Sequence, residues 1–202
     1  RWLGQLFTHA PWLSLDGAGS VSADLQVVEG KVAAGSRFSV PEVAVVAEVM
    51  GNRINGLAHA EGNFTTNAKG ELLPAVKILV EEFNIAANDN PGTPYVRGRD
   101  LRLDLEAGED LAALGDSLRA RLVFKNASLP DLRVYNRYLP NDHLHIDGGS
   151  GMLSGDLRLD AAGDIGAGWI RMTASKARMR MAGIAMRGDL GINTRLRRLD
   201  LA

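Results

Sequence analysis

The side chains best suited to chemistry are His143 and His145, which lie two apart with Asp142 and Asp147 close by. On a strand that spacing sends both imidazoles to one face, which would begin a divalent-cation site and hence a metal-assisted hydrolase. Such a site takes three or four protein ligands, and the remaining histidines, His9 and His59, are distant in sequence. Leu144 and Ile146 would form the buried side of an ordinary strand, so the histidines read as its outward residues, and no metal or other cofactor is expected. The carboxylate pairs Glu81-Glu82 and Glu109-Asp110 are adjacent in sequence and show no sign of the across-cleft geometry that acid/base catalysis needs. They read as solvated ends of loops or helices. The glycine clusters at 17–20, 148–151 and 163–168 complete no dinucleotide fingerprint and lack the Lys-Ser/Thr pair of a phosphate loop. No Gly-x-Ser-x-Gly elbow occurs, and a chain without cysteine has no thiol chemistry and no disulfides. Asn63-Phe64-Thr65 and Asn126-Ala127-Ser128 match glycosylation sequons, which matter only in a eukaryotic secretory setting that nothing else indicates. No enzymatic activity is expected.

The elements that carry these residues are legible as alternation. Leu101, Leu103 and Leu105 oppose Arg102, Asp104 and Glu106; Ala120, Leu122 and Phe124 oppose Arg119, Arg121 and Lys125. Leu157 and Leu159 stand against Asp156, Arg158 and Asp160, Ile170 and Met172 against Arg171, and Met179 and Met181 against Arg178 and Arg180. Period-two patterns of this kind predict half-buried strands. Glycine makes up 23 of 202 residues, about 11% against a usual figure of roughly 7%. Asp16-Gly17, Glu29-Gly30, Gly51-Asn52, Asn55-Gly56, Asp147-Gly148-Gly149, Gly163-Asp164 and Arg187-Gly188 read as hairpin turns between these strands. Segments 41–50 and 74–83 are assigned to strands for their β-branched content. Short helices are expected at 2–10 and 109–118, where apolar residues recur at three and four. The expected fold is mainly β: a curved, largely antiparallel open sheet, a groove or half-barrel, with one or two short helices. The chain is expected to form one domain over 1–202, with a possible internal boundary near 88–98.

Composition bounds the partners. Hydrophobic residues make up 46% and charged residues 23%, ordinary values for a folded domain. The net charge of -1 hides a polarity, because 165–202 holds eight basic side chains against two acidic ones. Nucleic acid is not an expected partner, since aromatics are not interleaved with that basic stretch beyond Trp169. Four of the six methionines, Met172, Met179, Met181 and Met186, fall in the same region, and flexible thioethers suit surfaces that accept varied apolar partners. A sheet curled into a trough would line its concave side with Leu101, Leu103, Leu105, Leu122, Phe124, Leu157, Leu159, Ile170, Met172, Met179 and Met181. Such a lining suits acyl chains. A closed sandwich, acting as a structural or adhesive module, would show the same alternation.

Two stretches, 16–31 (DGAGSVSADLQVVEGK) and 144–157 (LHIDGGSGMLSGDL), carry a likeness that runs in style through most of the chain. They resemble the AsmA-like periplasmic proteins of the Gram-negative envelope, of the TamB, YhdP and YdbH types, whose strands read as a small-residue turn followed by G-x-L-x-G-x-L-x-L. The resemblance implies a periplasmic protein tethered to the inner membrane, whose β-groove shields phospholipid or other acyl-chain lipid between the two membranes. It implies no catalytic residues. With Arg1 in first place, the chain reads as one segment of such a groove, with the anchor outside it.

Overall fold

Strict alternation produces strands wherever it was read. The computed structural model describes residues 12–16, 20–49, 51–70, 72–106, 118–138, 143–160 and 165–197. Its long strands are β5 (Arg37–Val49), β6 (Asn52–Thr66), β7 (Leu72–Ala87), β8 (Val96–Glu106), β9 (Arg119–Leu129), β10 (Leu144–Leu159), β11 (Ile165–Met181) and β12 (Ile184–Arg197). They follow one another as an antiparallel meander, while β1 (Leu13–Asp16) and β2 (Ser22–Asp24) share the free side of β5. β3 (Val27–Val28) and β4 (Lys31–Val32) form a separate small hairpin. The large sheet is open: among the described residues β12 pairs with β11 alone and does not return to β1. Segments 41–50 and 74–83 are strand, as expected. Residues 88–95 form the turn joining β7 to β8, which pair with each other in the same sheet. The helix expected at 2–10, and all but the last residue of that expected at 109–118, lie outside the described residues.

Five of the eight long strands depart from simple alternation at one exposed doublet each. In β7 the buried series Val76, Ile78, Val80 gives way to Phe83 and Ile85 across exposed Glu81-Glu82. The same change of phase occurs at Pro41-Glu42, Arg99-Asp100, Lys125-Asn126 and Ser175-Lys176. Asp100, Asn126 and Lys176 have φ of 56°, 54° and 55°, and the ladder slips at each of these places. These are β-bulges, which add a residue, bend the strand and increase its twist. The facing strand supplies partners for the freed amides: the Asn126 N–H donates to Ser154 Oγ at 3.3 Å and the Lys176 N–H to Asp189 Oδ1 at 3.1 Å. Glu81-Glu82 is therefore a bulge rather than a loop or helix end.

Several glycines expected at turns sit inside strands instead. Asn55-Gly56 lies within β6, Asp147-Gly148-Gly149 within β10 and Arg187-Gly188 within β12. Gly56 faces the β7 bulge, where an added Cβ would strike the Glu82 carbonyl, and Gly188 faces Ala177 beside the β11 bulge. Glu29-Gly30 is a true turn, with φ of 50° and 76°. The turn between β11 and β12 is Ala182-Gly183, with φ of 48° and 83°, the left-handed pair that matches strand twist.

Other glycines make room for rings. Phe38 faces Gly62, Phe83 faces Gly98 and Phe124 faces Gly155 across adjacent strands, and a Cβ at any of these glycines would overlap the ring. Phe83 and Phe124 then meet edge to face at 6.0 Å. Few aromatics thus cover much backbone. Gly98→Ala is expected to cost about 1–3 kcal/mol by overpacking, because Phe83 is 1% exposed and its ring has nowhere to turn. Gly188→Ala, with nothing within 4 Å, should stay within about 0.5 kcal/mol of the parent. Urea unfolding of the two variants checks this, and equal midpoints would contradict it.

One apolar cluster runs along a single face from Trp12 and Leu13 to Met172, Ala174 and Ala177. A 3-10 helix, Leu132–Tyr138, packs on β10. It lies beside the first half of that strand, which β9 does not reach. There the Asn136 amide takes the place of a strand: its Nδ2 donates to the Ile146 carbonyl at 2.8 Å and its Oδ1 accepts from the Ile146 N–H at 2.7 Å. Leu132 is fully buried beneath it.

Candidate functional site

The eleven side chains proposed as a lining share the apolar face but fall into two environments. Leu101, Leu103, Leu105, Leu122, Phe124, Leu157, Leu159 and Met172 are at most 5% exposed, packed into the common cluster. Ile170 and Met179 are only partly buried, and Met181 is 50% exposed. The cover thins because β11 and β12 lie at the open end of the sheet. Cross-strand partners share a face, so the β11 residues assign the inner side of β12. Met181 faces Ile184, Met179 faces Met186, Ala174 faces Leu190, Met172 faces Ile192 and Gly168 faces Leu196. Ile184 and Met186 are 67% and 37% exposed, and Leu190, Ile192 and Leu196 are partly buried. These five residues were missing from the expected lining. Their signal was the unbroken even-numbered series Ile184, Met186, Leu190, Ile192, Leu196, with Gly188 and Thr194 in the two positions between that carry no large apolar side chain.

The described histidines His59, His143 and His145 are not drawn into one cation site. His145 Nε2 lies 3.8 Å from Asp147 Oδ1, but that carboxylate is held by Arg180, whose Nη2 approaches Oδ1 to 2.8 Å. His59 Nε2 lies 3.0 Å from Glu61 Oε1, on the distant strand β6. Among the described residues no three His, Asp or Glu side chains are grouped to hold a metal.

The opposite face is polar and concave in places. A depression of about 1150 Å³ spreads over β7 to β11, with Arg97, Arg99, Arg102, Arg121 and Lys125 at its wall. Glu82, Asp100, Asp104 and Asp156 oppose them, and Leu79 and Trp169, 40% and 37% exposed, supply apolar surface. A second depression of about 640 Å³ adjoins it and shares Asp104 and Arg121. The Arg121 guanidinium grips Asp156 through two hydrogen bonds of 2.9 and 2.6 Å. Arg99 meets Glu82 at 3.5 Å, a looser and well-exposed pair of small energetic weight. Asp104 Oδ1 is buried without a hydrogen-bond partner. No family model, curated protein or solved structure matches this chain.

The Arg121–Asp156 pair sets a pH dependence. Its hydrogen bonds hold the Asp156 carboxyl below its ordinary value of 3.8. A depressed folded-state value gives stability that is present above about pH 4 and lost as pH falls through the folded value. Asp156→Asn should therefore flatten the acid limb of a stability-against-pH curve measured by urea unfolding. An unchanged limb would remove Asp156 as its source. Asp131 is likewise lowered by Arg133, but those residues are two apart, so the pair can persist in the unfolded chain and contributes less to the difference.

Proposed function

We propose that the protein is a non-catalytic component of the cell envelope whose apolar sheet face binds acyl chains of phospholipid or a similar lipid. The reading places it in the periplasm, tethered to the inner membrane, with the groove conducting lipid between membranes. One observation carries it: the apolar face continues beyond its covered part onto β11 and β12, where Met181, Ile184 and Met186 stay exposed. Each acyl methylene buried there gains about 0.8 kcal/mol, so hydrocarbon is retained without specific polar chemistry. Methionine is the side chain best able to follow a moving chain. Native mass spectrometry of gently purified protein tests the proposal, together with titration of a fluorescent fatty acid. Co-purified lipid and saturable uptake are expected; neither one appearing would end it.

A second reading, a structural β module, is favoured by the eight lining residues that are at most 5% exposed. It is distinguished by the same titration, since a face that only packs on itself takes up no fatty acid.

A further inference from the structure

We propose that the polar-face depression across β7 to β11 binds an acidic oligosaccharide. This does not rest on the acyl-chain reading, because the depression lies on the other side of the sheet. Charge placement comes first. Along the described ladders, three pairs of like charge stand directly opposite each other, Arg99 with Lys125, Arg121 with Arg158 and Arg178 with Arg187, and all three are cationic. No two acids face each other in this way. Like charges opposite on neighbouring strands are destabilising, and an anion lying between them removes that cost. Arg121 is already neutralised by Asp156, and Arg99 lies 3.5 Å from Glu82 in a well-exposed pair, whereas Arg102 and Lys125 open into the depression.

The rest of the lining distinguishes a sugar from a bare anion. Asn84, Asn126 and Ser128 bring neutral donors and acceptors to the same concavity, the groups that pair with hydroxyls in both directions. Trp169 stands at the β11 side with a partly exposed ring and the Arg171 guanidinium 5.8 Å from its centroid. A flat ring with a polar edge suits the C–H face of a pyranose, and the nearby guanidinium suits its carboxylate. A volume of about 1150 Å³ exceeds that of ordinary small-ligand sites, which run to about 1,000 Å³, and suits a ligand of several linked units. A planar bilayer cannot follow such a hollow.

The test titrates the intact protein with tetragalacturonate at low ionic strength by calorimetry. Maltotetraose and inorganic phosphate run in parallel. Saturable binding of the acidic tetrasaccharide is expected, with maltotetraose weaker by about tenfold or more, since it lacks the charge-assisted contacts. Arg102→Ala with Lys125→Ala should weaken binding by a similar factor, and Trp169→Ala by several-fold. The altered side chains are exposed or at the rim, so thermal unfolding should match the parent. If a variant unfolds, backbone amide shifts in the unaltered protein decide, and they should be confined to β7–β11. The proposal is overturned by absence of saturable binding, by affinity indifferent to these variants, or by shifts elsewhere in the sheet. It is equally overturned if phosphate competes fully and Trp169 has no effect, which would leave an anion site alone.

Discussion

Phe83→Ala lowers the unfolding free energy by about 3–5 kcal/mol, the range for aromatic truncation in a core. Within that range the upper end is expected, because of what surrounds the ring. Phe83 is 1% exposed and faces Gly56 on one neighbouring strand and Gly98 on the other. Cavities are cheapest where neighbouring side chains can move in, and glycine has no side chain to send. Phe124, which meets Phe83 edge to face, is itself pinned over Gly155. Urea unfolding with an unchanged denaturant slope would report this directly. A loss under about 1 kcal/mol would mean that the ring does not serve as the cover for this part of the sheet.

The second large effect concerns uptake rather than stability. Met181→Glu combined with Met186→Glu should reduce binding of a fluorescent fatty acid by about tenfold or more, since forfeiting only two buried methylenes already slightly exceeds that factor. Both side chains are at least 37% exposed in the unliganded protein, so the unfolding midpoint should change little. Leu103→Ala provides the opposite signature. Leu103 is 1% exposed, and its loss should cost about 2–5 kcal/mol of stability while leaving uptake by the folded fraction close to the parent. If the double methionine variant takes up fatty acid as before, the exposed end of the apolar face is not where hydrocarbon sits, and the acyl-chain proposal loses its support.

Much of the architecture was visible in alternation alone, because a side-chain period of two follows directly from the pleat. Leu101, Leu103 and Leu105, or Leu157 and Leu159, could hardly have been placed otherwise. What escaped was the change of phase. A doublet such as Lys125-Asn126 looks like a fault in the pattern when one strand is read by itself, and its meaning emerges only against Ser154, the single residue that faces it. Glycine misled for a related reason. Gly56 makes room for neighbouring backbone at a bulge and Gly188 lies within a strand with open space beside it, and no local rule tells either from a turn glycine. The division of the lining was also hidden, since burial of Leu103 and exposure of Met181 depend on how far each strand lies from the open end of the sheet. Trp169 and Arg102 come together only through the strand order, β8, β9, β10, β11, although more than sixty positions apart in sequence.

The outer border of β12 bears on any molecule that would lengthen this sheet. Among the described residues β12 pairs with β11 alone; unpaired peptide groups along such a border are a template for another strand, and the side-chain pattern restricts its register. Ile184, Met186, Leu190, Ile192 and Leu196 point to one side, Arg187, Arg195 and Arg197 to the other. A newcomer joins without penalty only when its own oily and charged positions fall into step with both series, which keep a single period of two along the whole of β12. Shifted by one residue it would drive every charge into oil.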